Sequence, residues 1–402
     1  MEDFGGEWLF VLLLVASVVA MVTRRIGMPY SVGLVLAGIA LALTPGLGFN
    51  APLTPELIFS IFLPPLVFEA AIQIPWKPFR KELPLLLALV TVGVALAAGI
   101  VAVGMHLLAG WSWIGAALFG VLIAATDPVS VIAMFRQVPV PHRLHLLVES
   151  ESLLNDGVAA VAFAVLVAIA AGGGISAPAI GGQLAVVIGG GILMGAAVAL
   201  PVVFLAGRTT DRLVEITLTT LIAWGSFWAA EHFHFSGVLA TLTAGLIVGN
   251  YGFIGSFADE NRREVLGFWE YAAFLVNSLI FLLIGGREAT MALGSVIGIA
   301  AVAFALQLAG RAAAVYPLSA LFRKGELRVP GNYQHVLVWG GLRGALSLAL
   351  ALALPATVPE RGEIITVAFA VVAVSIFLQG LTVPKLLAWL GLVRKEAEAE
   401  AL

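Results

Sequence analysis

The sequence predicts an all-α, polytopic membrane protein with thirteen transmembrane helices, and three observations predict it. First, 61% of the 402 residues are hydrophobic and only 11% are charged, against about 25% charged in a soluble domain. With a mean hydropathy of +1.05, a soluble chain of this kind would have almost no wettable surface. Second, charge clusters and Gly/Pro turns divide the chain into apolar runs close to the roughly 20 residues that a spanning helix needs. Third, lysine and arginine alternate from loop to loop, as they do when they concentrate on the cytoplasmic side.

The thirteen spans run approximately over 7–23, 29–44, 54–73, 84–108, 111–135, 145–171, 180–206, 214–231, 236–251, 264–286, 290–321, 333–355 and 362–390. With the N-terminus outside, the inner loops and tail hold Arg24, Arg25, Lys77, Arg80, Lys81, Arg136, Arg143, Arg208, Arg212, Arg262, Arg263, Arg323, Lys324, Arg328, Lys385, Arg394 and Lys395. The outer loops hold only Arg287 and Arg361, and Arg311 and Arg343 fall inside spans. One missed helix would scramble this alternation, so the expectation is N-terminus out and C-terminus in, multi-pass, in the cell membrane. "MEDFGGEWLF" lacks the basic start and cleavage site of a signal peptide, so the first run reads as a retained span. The stretch "AGGGISAPAIGG" (171–182) reads as a linker, and the end of the chain (391–402) as a short charged tail. Net charge is −3, which gives no reason to expect a nucleic-acid partner. The absence of cysteine removes disulfides, thiolate metal sites and thiol nucleophiles.

Six ionisable residues sit well inside spans: Glu69, Asp127, Glu151, Asp156, Arg311 and Arg343. Left lipid-facing and unpaired, each would cost roughly 2.5–3.5 kcal/mol, so they face the bundle interior. Structural ion pairs can account for some of them, but four acids against two arginines leave two carboxylates without a fixed countercharge. A buried carboxylate of that kind takes up either a proton or a mobile cation. Such a chain is equipped to exchange one for the other.

Depth agrees. Asp156 lies about eleven residues into span 6, roughly 16 Å at 1.5 Å per residue, near the midplane of the bilayer, and Asp127 is similarly central in span 5. In "SESLLNDGVAAVAF" (150–163), Glu151, Ser152, Asn155 and Asp156 share one helical face while Leu153, Leu154, Gly157 and Val158 cover the other. A polar face at that depth looks into protein.

"ATDPVSV" (125–131) interrupts span 5, because Pro128 lacks an N–H, displaces the Ala124 carbonyl and biases Asp127 toward an extended conformation. Irregular backbone inside a membrane survives only where protein or a cavity surrounds it, and secondary transporters use such breaks to coordinate Na⁺ or H⁺. "WGGLRGALSLALAL" (339–352) places three glycines around Arg343 in span 12 and predicts a second unwound stretch. Spans 5 and 12 lie an odd number of spans apart and so cross in opposite directions, as an inverted-topology repeat requires. The expected organisation is one transmembrane domain over 1–402, with a first repeat over 1–171, a linking span at 180–206 and a second repeat over 214–390.

The segments "FLPPLVFEAAI", "TDPVSV", "ESLLNDGVA", "SGVLATLTAGLIVGN", "VNSLIFLLIG", "GRAAAVYPL" and "GGLRGALSLALAL" resemble the NhaP-type cation/proton antiporters, relatives of the animal Na⁺/H⁺ exchangers. The likeness runs in order from about residue 60 to 385. It implies thirteen helices with crossed broken helices in a six-helix core, a separate dimerisation domain and hence a homodimer, and elevator-like alternating access. It also implies that Asp156 binds cation or proton, with Ser152, the backbone around Thr126 and Glu69 as further ligands. By the same resemblance, Asn155 and Asp127 hold the site together, Glu151 pairs with Arg311, and Arg343 neutralises Asp127 and the facing helix ends. The Asn155–Asp156 pair resembles that of one-for-one electroneutral members. A hard cation such as Na⁺ or Li⁺ suits these oxygens, and no cofactor is implied. The chain shows no counterpart to the large cytoplasmic regulatory domain of longer relatives, so direct control by pH is the expectation.

K⁺/H⁺ antiport by the same fold is the alternative, and a cation channel is the alternative of another class. A membrane-embedded enzyme is disfavoured, since the spans hold no metal triad, nucleophile–base pair or phosphate loop. Elsewhere, His142 and His145 read as solvated loop residues, and the Glu231, His232, His234 turn is a poor metal site. Asn277 and Ser278 read as interhelical hydrogen-bond partners. Trp8, Trp76, Trp111 and Trp113 read as interfacial anchors.

Overall fold

The computed structural model describes residues 6–45, 53–127, 131, 132, 135, 138, 140–172, 177–252 and 261–393. Pro128, the centre of the "TDPVSV" interruption, lies outside them, as do parts of the 171–182 linker and of the charged tail. All regular structure among the described residues is helical. In chain order the helices are α1 (Gly6–Ile26), α2 (Tyr30–Leu43), α3 (Leu57–Gln73), α4 (Trp76–Ala109), α5 (Trp113–Ala124), α6 (His142–Ala170) and α7 (Ala177–Ala206). They continue with α8 (Arg212–His232), α9 (Gly237–Tyr251), α10 (Arg262–Ala289), α11 (Leu293–Leu321), α12 (Gly331–Trp339), α13 (Ala345–Leu352) and α14 (Arg361–Trp389).

Eight of these are long and apolar enough to cross a membrane: α1, α4, α6, α7, α8, α10, α11 and α14. Shorter apolar helices are α2, α3, α5 and α9. Local chemistry sets several boundaries. Ser112 caps α5 by accepting from the Gly115 N–H, Asp211 caps α8 through Leu213 and Val214, and Ser236 caps α9 through Leu239. Each cap satisfies N–H groups that the first turn of a helix leaves without partners. Gly27 and Gly110 end α1 and α4 in the left-handed conformation, at φ 67° and 73°, which a side chain resists.

One boundary differs from the sequence expectation. Span 4 was expected from residue 84, whereas α4 begins at Trp76 and carries Lys77, Arg80 and Lys81 on its opening turns. At 34 residues it is about 51 Å long, well beyond a hydrocarbon layer of about 30 Å. Its basic first turns therefore extend into the headgroup zone, where long side chains keep their charges wet.

The described chain forms two compact units: residues 1–55, 84–155 and 278–402, and residues 56–83 and 156–277. The division passes through α4, α6 and α10 and so cuts across the repeat boundaries expected from sequence, which concern symmetry rather than compactness. In the first unit α2 and α10 approach backbone to backbone, because a Cβ at Gly38 would overlap the Leu282 carbonyl and one at Gly285 the Val35 carbonyl. Small residues at such crossings are how membrane helices gain packing without a hydrophobic driving force. Tyr30 and Ser278 add an interhelical bond, their hydroxyls 2.8 Å apart. The second unit has an aromatic centre, with the Phe68 and Trp269 rings 4.5 Å apart and Trp269 Nε1 donating to Thr219 Oγ1 at 3.0 Å.

The loop before α14 ties two helix ends of the first unit. Glu360 accepts from the Ser112 N–H (3.0 Å) and hydroxyl (2.7 Å) at the start of α5. The next residue, Arg361, donates to the Leu354 and Leu352 carbonyls (2.7 and 3.3 Å) at the end of α13. Carboxylate to helix start and guanidinium to helix end is the favourable sense of both helix dipoles.

The tryptophans divide. Trp113 is exposed and stacks on His106 with ring centroids 3.9 Å apart. Trp111 is no interfacial anchor: it is 2% exposed and meets Phe119 edge to face. Trp111 precedes the Ser112 cap and Trp113 opens α5, and the two rings have different partners.

Candidate functional site

Helix α6 carries the polar stripe. Glu151, Ser152, Asn155 and Asp156 are 1%, 3%, 1% and 7% exposed, so protein covers the entire face. What meets it in the first unit is the interrupted end of α5. That helix stops at Ala124; Ala125 turns to φ −57°, ψ 135°, and Val131 and Ile132 are again helical. The break thus starts three residues before Pro128. It exposes the Ala124 carbonyl, the one that a proline at 128 is expected to displace.

Freed backbone groups need partners, and named side chains supply them. Asn155 Nδ2 donates to the Ala124 carbonyl (3.0 Å) and to Thr126 Oγ1 (3.1 Å). Thr126 Oγ1 in turn donates to Ser152 Oγ at 3.1 Å. Arg343 Nη1 donates to both the Ala124 and Ala125 carbonyls (2.8 and 2.9 Å), and Ser347 Oγ reaches Ala125 O at 3.4 Å. Asn155 Oδ1 is buried and has no hydrogen-bond partner among the described residues, so one carboxamide oxygen of the cluster is still able to accept.

The second break lies between α12 and α13, where Gly340–Gly344 leave the helix. It touches the first directly, since the Asp127 N–H donates to the Leu342 carbonyl at 2.7 Å. A Cβ on Gly344 would stand 2.6 Å from the Asp127 Cβ, so only glycine permits the approach. Arg343, 1% exposed, donates its own N–H to Ser375 Oγ at 3.0 Å. Its guanidinium also faces Gln307, whose carboxamide oxygen, turned toward it, accepts at 2.5 and 3.0 Å.

Arg311 has a different environment. Nη1 and Nη2 donate to the two Glu151 oxygens at 2.6 Å each, and Nε donates to the Leu337 carbonyl at 3.0 Å. The bidentate geometry is the strongest that an arginine–carboxylate pair offers. Each arginine therefore serves one break, Arg343 the end of α5 and Arg311 the end of α12, where unpaired carbonyls gather partial negative charge.

The structure therefore gathers Thr126, Ser152, Asn155 and Arg343 into one hydrogen-bonded cluster and sets Glu151 on Arg311 beside it. Asp156 follows Asn155 on the same helix, in the second compact unit. Glu69 is half-buried on α3, also in that unit, and accepts from Gln73 Nε2 at 2.5 Å. The sequence reading missed Gln307, Ser347, Ser375 and Gln379, each at most 1% exposed. The signal was present for two of them, since "SIFLQ" places Ser375 and Gln379 one turn apart in an otherwise apolar span. The turn at Glu231 serves the backbone: its Oε1 accepts from the Gly237 N–H at 3.0 Å.

Interrupted helices meeting a buried polar stripe define a membrane protein built like an ion-coupled secondary transporter. Comparison with known proteins narrows this. Residues 11–389 match the family described as sodium/hydrogen exchanger, transmembrane, and the chain belongs to that family, one of transporters and not of enzymes. It is 40% identical over 378 residues to the Na⁺/H⁺ antiporter NhaS2 of Synechocystis, covering 94% of this chain and 69% of the relative. It is 36% identical over 342 residues to the Na⁺/H⁺ antiporter NhaP of Pseudomonas aeruginosa, covering 82% and 80%. Its fold is similar to that of the sodium/proton antiporter MjNhaP1 of Methanocaldococcus jannaschii, with a TM-score of 0.77 at 18% identity over 96% of this chain and 98% of that one.

Proposed function

We propose that this protein exchanges Na⁺ or Li⁺ for H⁺ across the cell membrane, one for one and without net charge movement, by alternating access. Cation and proton compete for Asp156. The observation that carries the reading is the buried stripe of α6 meeting the α5 break, where Thr126 Oγ1, Ser152 Oγ and the Asn155 carboxamide converge one residue before the Asp156 carboxylate. Hard oxygen donors of this kind suit a small monovalent cation, and a carboxylate shielded from water holds either the cation or a proton in its place. Ser152, Thr126 and Glu69 complete the ligand set, while Asn155, Asp127 and Arg343 fix the breaks. Glu151 neutralises Arg311, so that pair takes no part in the exchange.

The larger organisation belongs to the same proposal. The eight long helices, the four shorter ones and the α12–α13 pair make thirteen crossings, with N-terminus out and C-terminus in. Two inverted repeats, over 1–171 and 214–390, cross their interrupted helices, and the working form is a homodimer. The decisive experiment uses proteoliposomes with an acidic interior. External Na⁺ dissipates the proton gradient, and Asp156→Asn abolishes the response. An asparagine variant exchanging at the wild-type rate overturns the site assignment. A steady Na⁺-evoked current overturns electroneutrality, and exchange with K⁺ in preference to Na⁺ and Li⁺ overturns the cation choice.

A further inference from the structure

The α12–α13 break raises a question that its glycines do not answer. Unwinding Gly340–Gly344 strands carbonyls at the end of α12 and N–H groups at the start of α13, and buried groups of this kind need partners. Part of the answer comes from α14, at the π-helical turn Ser375–Gln379, a local widening that frequently marks functional sites. Gln379 Nε2 donates to the Trp339 carbonyl at 2.9 Å, and Ser375 Oγ accepts from the Arg343 N–H at 3.0 Å. The Ser375 hydroxyl in turn donates to Gln379 Oε1. Both side chains are 0% exposed.

These bonds form a chain of one sense: Arg343 N–H to Ser375, Ser375 to Gln379, Gln379 to Trp339. Ser375 accepts from a backbone N–H and donates to the Gln379 oxygen, which leaves the Gln379 amide to donate to the Trp339 carbonyl. The ends of the chain hold the two flanks of the break. What they hold matters beyond the break itself. The Leu342 carbonyl receives the Asp127 N–H, and the Arg343 guanidinium caps Ala124 and Ala125, the carbonyls beside Thr126 and Asn155.

We propose that Ser375 and Gln379 are positioning residues for ion exchange. From α14 they fix the register of Leu342 and Arg343, and through those residues the geometry of the α5 break at which the cation binds. This assignment rests on the ion site proposed above.

The test measures half-saturating Na⁺ and maximal rate in proteoliposomes across a pH series. Gln379→Leu raises half-saturating Na⁺ about tenfold and Ser375→Ala about threefold to fivefold, as loss of one or two buried hydrogen bonds implies. The double variant is no worse than Gln379→Leu, because the two act in one chain. Gln379→Glu gives a sharper readout. Protonated, it still accepts from Ser375 and donates to Trp339; ionised, it faces that carbonyl with a charge. It therefore matches wild type at acid pH and Gln379→Leu at alkaline pH, a dependence that simple packing would not create.

Amide hydrogen exchange over residues 339–344 gives a second measurement should a variant be poorly active, and both single variants accelerate it there. Variants that lower only yield or melting temperature, with half-saturating Na⁺, its pH dependence and exchange at 339–344 unchanged, overturn the positioning role. A wild-type protein that fails to respond to Na⁺ overturns the antiport reading and the positioning role with it, a result distinct from variants that match an active wild type.

Discussion

After Ala124 the chain leaves the helix just ahead of a proline, and Asn155 of α6 bonds the exposed carbonyl with the same side chain that reaches Thr126. Between Trp339 and Ala345 it leaves the helix on three glycines, and side chains of α14 bond the exposed groups. The first break is held by Asn155 of the polar stripe together with Arg343 and Ser347, the second by Ser375 and Gln379 of α14 together with Arg311. Each also has its own arginine, and Arg311 is bonded to an acid of α6, Glu151, by both of its terminal nitrogens. The comparison teaches that a break inside a membrane helix can be satisfied by the polar face that meets it or by a neighbouring helix, and that this chain uses different side chains at its two interruptions.

The largest effect should come from attacking the ion pair. Arg311→Ala leaves Glu151, 1% exposed, as an uncompensated buried charge and the Leu337 carbonyl short of a donor. Loss of one partner of a buried pair costs about 3–5 kcal/mol, read as a fall in melting temperature of the detergent-solubilised protein. Adding Glu151→Gln restores part of it; a double variant no more stable than Arg311→Ala contradicts the neutralising role.

An intermediate effect should come from the crossing point. Gly344→Ala inserts a methyl 2.6 Å from the Asp127 Cβ, and such overpacking costs about 1–3 kcal/mol. Because the methyl pushes the breaks apart, exchange falls more than melting temperature does. Equal sensitivity of the two would mean that the crossing matters for stability alone.

The smallest effect should come from the loop before α14. Burial raises the Glu360 pKa, but hydrogen bonds from the Ser112 side chain and backbone lower it further, and the net value lies below the ordinary glutamate range. A depressed carboxylate contributes stability above its unfolded pKa, about 4.3, and loses it as pH falls through the folded value. Glu360→Gln therefore lowers melting temperature slightly at neutral pH and flattens its decline in acid. A decline as steep as that of wild type shows that other groups set it.

Legibility in the sequence followed how local each cause was. The long apolar helices, the carbonyl freed at Ala124 and the unwinding at Gly340–Gly344 all come from proline, glycine and hydropathy acting within a few residues. The start of α4 was misplaced because a basic, proline-containing segment reads as a loop, although a helix can carry it into the headgroup layer. Trp111 was misjudged because a span end does not reveal which way a ring turns. Gln307, Ser375 and Gln379 were missed for a tertiary reason. An isolated amide or hydroxyl in an apolar span resembles ordinary interhelical glue until the backbone group that it serves is known. The Glu151–Arg311 pair, joining residues 160 positions apart, was expected only from family resemblance.

The guanidinium groups at the two interruptions bear on the unloaded protein. A framework that depended on a bound ion would sag whenever that ion left. Here the Ala124, Ala125 and Leu337 oxygens rest on arginines belonging to the chain itself, so the scaffold is braced from within.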